Sequence, residues 1–172
     1  VSNGTAVSAS LFTNLPYDTL KDFQPISTLG FFDIVLLVSP DSKFTAARDL
    51  IAAAKATPNK ISVGSINIGS TQNLAAELFR ATAGVDVTTV PYKGTGPAMN
   101  DLLGGQVQMI FGSAPATVPL VKANRLRALG VTTMKRMSSF PDVPTIHEAG
   151  VKGYEVVLWY GVLGPKALPK HI

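Results

Sequence analysis

Residues 61–90 read ISVGSINIGSTQNLAAELFRATAGVDVTTV, and their punctuation decides the fold. Ile61 to Gly64 is short, apolar and β-branched, which predicts a strand. Gly69-Ser70-Thr71 then opens a helical spacing that runs to Ala83 and puts Leu74, Leu78 and Phe79 inward. Gly84 is the residue type that ends a helix in the left-handed conformation, and Val87 to Val90 predicts the next strand. A helix between two strands at this spacing is a crossover, so the strands it joins run parallel.

The same cycle continues in both directions. Pro97 to Leu103 predicts a helix with proline in its first turn and Gly104-Gly105 at its end. Val107 to Phe111 predicts a strand, Pro115 to Ala123 a helix, and Leu126 to Thr132 a strand. Thr145-Ile146-His147-Glu148 spells a capping box for one helical turn before Gly150, and Tyr154 to Val162 reads as a last strand. Toward the N-terminus, Thr45 caps a predicted helix from Ala46 to about Ala56, stopped by Pro58, and Asp33 to Val38 reads as a strand. Residues 1–30 read as turns, at Ser2 to Thr5, Leu15 to Asp18 and Asp22 to Pro25. The fold class is therefore α/β with a largely parallel sheet. Residues 40–153 are expected to form one complete lobe, with 1–39 and 154–172 as parts of a second.

Composition narrows the function classes. With 46% hydrophobic and 15% charged among 172 residues, the chain can offset its ordering entropy, which excludes disorder. Its longest apolar runs, such as Ile34 to Val38, are too short to span a bilayer. No basic-then-apolar leader opens the sequence, and the start at Val1 suggests processing or, preferably, a piece of a longer protein. The net charge of +4 is scattered, without the basic stripe and interleaved aromatics of a nucleic-acid binder. Zero cysteines and two histidines, His147 and His171, leave no thiolate nucleophile and no multi-His metal site, so no metal and no cofactor are expected. Serine hydrolysis lacks a G-x-S-x-G elbow. His147 beside Glu148 reads as a surface group.

What remains is a row of strand-to-helix loops. Gly64 to Ser70 lacks the lysine of a phosphate loop, yet Gly69, Ser70 and Thr71 stand at a helix start, where free N–H groups and the dipole attract an anion. Tyr92, Lys93, Gly94 and Thr95 form the second loop and Ser113 the third. The plainer readings are a capping hydroxyl at Ser70 or Thr71 and a solvated charge at Lys93. Ligands of open α/β sheets bind beyond the carboxyl ends of the strands, where all three loops fall.

Val90-Pro91-Tyr92-Lys93-Gly94, Asp101-Leu102-Leu103-Gly104-Gly105-Gln106-Val107, Pro141-Asp142-Val143-Pro144-Thr145 and Glu148-Ala149-Gly150 follow in order. Leu15-Pro16-Tyr17-Asp18 precedes them and Trp159-Tyr160-Gly161 follows. The set resembles the Bug, or TctC-like, family of periplasmic substrate-binding proteins of tripartite tricarboxylate transporters. The resemblance covers essentially the whole chain. It implies a type II periplasmic-binding-protein (Venus-flytrap) fold, one complete lobe plus part of the other. It also implies periplasmic capture of a small carboxylate without catalysis, and delivery to inner-membrane permease subunits by a chain that does not itself enter the membrane.

On this resemblance Gly69, Ser70, Thr71, Tyr92, Lys93, Gly94, Thr95 and Ser113 make the second-lobe half of the pocket, and Ser2 and Asn3 contribute from the first. Neutral N–H and hydroxyl donors would hold the carboxylate, and the lobes would hinge near Val38–Asp41 and Gly153–Glu155. Ile66-Asn67-Ile68 replaces small residues common in the family's first loop, and Gly112 stands where many members carry an aspartate that could pair a substrate amine. A simple carboxylate is thus favoured over an amino acid. A cytoplasmic α/β enzyme acting on an anionic substrate and a ligand-free interaction module stay open as alternatives.

Overall fold

Asp33-Ile34-Val35-Leu36-Leu37-Val38 shows no polar–apolar alternation, and a strand of that composition has to be covered on both faces. The computed structural model describes residues 1–169, so His171 lies outside the described residues. In it that hexapeptide closes a 16-residue strand, β1 (Phe23–Val38). The other elements are α1 (Asn3–Leu11), α2 (Ala47–Ala56), β2 (Ser62–Ile66), α3 (Thr71–Ala83), β3 (Thr88–Tyr92), α4 (Thr95–Leu103), β4 (Met109–Ser113), α5 (Ala114–Lys122), β5 (Arg127–Val131) and β6 (Val157–Pro165).

The strand order is β3-β2-β4-β1-β5. β2 pairs in parallel with β3 and β4, as the crossover helices require. β1 enters between β4 and β5 and is antiparallel to both, with Ile34 opposite Ser113 and Val35 opposite Val131. The expectation of a largely parallel sheet is corrected here to a mixed one. Its central strand comes from outside residues 40–153, because β4 and β5 meet only through β1.

β1 also begins ten residues earlier than expected. From Phe23 to Asp33 it pairs antiparallel with β6, forming a two-stranded ribbon that leaves the sheet. Pro25 is tolerated because it sits at a register irregularity of this ribbon. Pairing changes hands at Asp33–Ile34. On the return, the Val156 N–H donates to the Thr132 carbonyl at 2.9 Å and the Thr132 hydroxyl to the Val156 carbonyl at 2.6 Å. The chain therefore crosses at Asp33–Ile34 and Val156–Val157, not at Val38–Asp41 and Gly153–Glu155. The turn expected at Ser2 to Thr5 is the start of α1, whose buried contribution is Ser8 alone.

Two cores flank the sheet. Ile34, Leu36 and Val38 face α2 and α3 together with Leu50, Phe79, Phe111 and Tyr154. Val35 and Leu37 face α4 and α5 with Met99, Leu102 and Ile110. α3 presents small residues and one large one to the sheet, Thr71, Ala75, Ala76, Phe79 and Ala83. This rotates Leu78 outward to 40% exposure, contrary to its expected inward placement. Thr45 does not cap α2: the Asp49 carboxylate accepts the Ala46 N–H at 3.1 Å and the Thr45 hydroxyl at 3.2 Å. The capping box at Thr145 and Glu148 closes in both directions, at 3.0 and 2.9 Å. Of the flanking apolar residues, Phe31 is 71% exposed while Leu158 is buried against the α3-side core.

Candidate functional site

Parallel strands deliver their following loops to one rim, and the loops after β2, β3 and β4 lead there into α3, α4 and α5. The ribbon of β1 and β6 leaves from the same rim, since Ile34 lies opposite Ser113. α1 lies across the first loop. A Cβ built on Gly4 would stand 3.0 Å from the Gly69 carbonyl oxygen, and one on Gly69 would stand 2.9 Å from Leu11 Cδ1. Ser2 and Asn3, at the start of α1, are thereby brought to the loop holding Gly69, Ser70 and Thr71. Tyr92, Lys93, Gly94 and Thr95 follow β3 on one side of β2, and Ser113 ends β4 on the other.

Several of these groups are spent inside the protein. The Ser70 hydroxyl accepts the Asn73 N–H at 3.1 Å and donates to the Ile66 carbonyl, so it caps α3. Asn73, which sequence reasoning missed, accepts the Gly69 N–H through Oδ1 at 3.0 Å and donates through Nδ2 to Ser65 Oγ at 2.9 Å. Its place three residues after the capping Ser70 was the available signal. The loop it locks holds two left-handed residues, Asn67 (φ 38°) and Gly69 (φ 82°). The donors this helix start still offers are the first-turn N–H groups of Thr71 and Gln72, which have no intrahelical acceptor. Asn3 is likewise committed: Nδ2 donates to the Val157 carbonyl at 3.0 Å and Oδ1 accepts the Trp159 N–H at 3.2 Å.

The Tyr92 phenol donates to Asp101 Oδ2 at 2.6 Å and ties the end of β3 to α4. Burial first, and then the hydrogen bond and charge of Asp101, push its pKa from 10.0 up to about 12. A phenol that keeps its proton longer in the folded state loses its stabilising contribution as pH rises from about 10 to about 12. Tyr92→Phe is therefore expected to fall less steeply in stability over that interval than the parent. Urea midpoints measured across it check this, and parallel profiles would contradict the latch.

The remaining groups stay open. The Ser2 and Ser113 side chains, at the caps of α1 and α5, make no capping hydrogen bond. α4 starts from Gly94 with no capping side chain and Thr95 as its first residue. Cβ atoms built on Gly94 and Gly96 would meet nothing within 4 Å, so a ligand can approach this backbone. Lys93 is exposed and forms no ion pair among the described residues. Gly112 answers a packing demand: a Cβ there would sit 2.6 Å from Thr117 Cγ2 and 2.9 Å from Leu37 Cδ1. Beside the rim, on the flank of α3, a cleft of about 750 Å³ is lined by Leu11, Asn67, Ile68, Asn73, Pro91, Tyr92 and Lys93, among others. Among the described residues no cluster of histidine, aspartate and glutamate is placed to hold a metal, and no helix is long and apolar enough to cross a membrane.

The tripartite tricarboxylate transporter family receptor profile matches residues 1–172. Among solved structures, the R. palustris protein Rpa4515 with adipate is 38% identical with a TM-score of 0.87, over 93% of this chain and 54% of that one. The periplasmic binding protein BugD is 34% identical with a TM-score of 0.91, over 99% and 57%. MatC from Rhodopseudomonas palustris with bound malate is 29% identical with a TM-score of 0.89, over 99% and 58%. The chain spans about half the length of most curated relatives it matches.

Proposed function

Because this chain belongs to the tripartite tricarboxylate transporter receptor family, we propose that it supplies one wall of a periplasmic solute-binding site for a small dicarboxylate. The protein would capture its ligand without catalysis and deliver it to inner-membrane permease subunits. The observation that carries this reading is the gathering of three helix starts, those of α3, α4 and α5, on one rim that faces α1 and the β1–β6 ribbon. Free N–H groups at Thr71 and Gln72, the open backbone around Gly94 and the hydroxyls of Thr95, Ser113 and Ser2 suit a carboxylate held by neutral donors. Such a site binds reversibly, because it does not desolvate a fixed counter-charge. The adipate and malate in the two similar structures are both dicarboxylates, which supports the same class of ligand here.

Calorimetric titration of the protein with adipate and malate tests the reading. Thr95→Ala and Ser113→Ala each remove one hydrogen bond to a charged group, worth about 1.5–3 kcal/mol, so each should weaken binding about ten- to a hundredfold. If neither dicarboxylate binds, or if both substitutions leave the dissociation constant unchanged, the helix-start site is wrong.

A further inference from the structure

We infer that the cleft beside α3 is a specificity subsite, shaped for the aliphatic body of an extended dicarboxylate whose distal carboxylate reaches Lys93. The inference rests on the carboxylate reading above, with the proximal carboxylate at the start of α3. Ile68 carries it. This residue is 76% exposed although it sits in the middle of the loop that leads into α3. The left-handed backbone of Asn67 turns the chain just before it, and the Asn73 clamp on Gly69 and Ser65 holds that turn. Held outward in this way, Ile68 adds an apolar side chain to the wall of the cleft.

The cleft supplies the rest of that surface. Leu11, 44% exposed, enters it from α1, and Pro91 enters from the edge strand β3. Leu11 also fills the space that a side chain at Gly69 would take, so α1 closes the cleft against the α3 loop. Of the two charged residues lining it, Glu77 is paired with Arg80 at 3.0 Å, and Lys93 has no ion-pair partner among the described residues. Apolar walls with one unpaired cation at their margin suit a chain of methylenes that ends in an anion.

Titration of the protein with succinate, adipate, suberate and hexanoate tests this. Partial burial of each added methylene should tighten binding about twofold, so suberate, with four more methylenes, should exceed succinate by about sixteenfold. Ile68→Asn should flatten that dependence while leaving succinate binding unchanged. Lys93→Met should reduce adipate affinity by up to about fivefold, as expected for a solvent-screened charge, and leave hexanoate unaffected. Equal affinities for succinate and suberate, unchanged by Ile68→Asn, would overturn the subsite while the carboxylate site stands. Failure of every dicarboxylate to bind would overturn both.

Discussion

A fragment comprising residues 40–153 is expected to remain unfolded, whereas residues 32–157 should melt cooperatively. The difference is the second half of β1. Without it β4 and β5 have no common neighbour, and the hydrogen bonds that place Ile34 opposite Ser113 and Val35 opposite Val131 are lost. Ile34, Val35, Leu36, Leu37 and Val38 are all fully buried, two facing one core and three the other. At about 1.5–3 kcal/mol for each buried aliphatic side chain, their removal forfeits about 8–15 kcal/mol. That equals the entire stability of an ordinary domain, about 5–15 kcal/mol. Burial referred to an extended chain overstates the loss, yet even two-thirds of it exhausts a typical margin. Far-UV circular dichroism melts of the two fragments decide the matter. A cooperative melt of residues 40–153 alone would show that the lobe does not depend on β1.

Phe79→Ala should destabilise the protein by about 3–5 kcal/mol, measured by urea unfolding. Phe79 is fully buried where α3 meets the sheet, with its ring centroid 5.8 Å from that of Phe111 and 6.1 Å from that of Tyr154. Tyr154 is itself pinned by a hydrogen bond from its hydroxyl to the Ala75 carbonyl at 2.9 Å, so the neighbouring ring cannot easily fill the space left behind. Leu78→Ala, one residue earlier, should cost less than about 1 kcal/mol because that side chain already lies partly in water. Equal losses at the two positions would mean that α3 is rotated from the orientation described.

The bounds of α3 were legible because each end carries its own signal. Ser70 caps the start, and Gly84 takes the left-handed conformation at φ 61°. Which face of α3 turns inward was less legible: helical spacing admits Leu74, Leu78 and Phe79 together, but the close approach of the helix to β4 favours the stripe of alanines around Phe79. α1 carries no apolar stripe, and its start is held by Asn3 bonded to β6, more than 150 residues away. The candidate site divides in the same way. The helix starts could be placed from spelling, but the internal partners of Gly69, Ser70, Asn3 and Tyr92 could not.

The sequence by itself determined the α/β class, the alternation from α2 to β5, the family and the position of the helix-start loops. Caps, glycines, prolines and hydrophobic spacing act within a few residues of where they are written, so these features are local. Only the tertiary structure decided that β1 is the central strand, that its outer half pairs with β6, and which donors on the rim remain free. Strand pairing and side-chain hydrogen bonding depend on groups far apart in the chain, and their energies are settled only when folding brings those partners together.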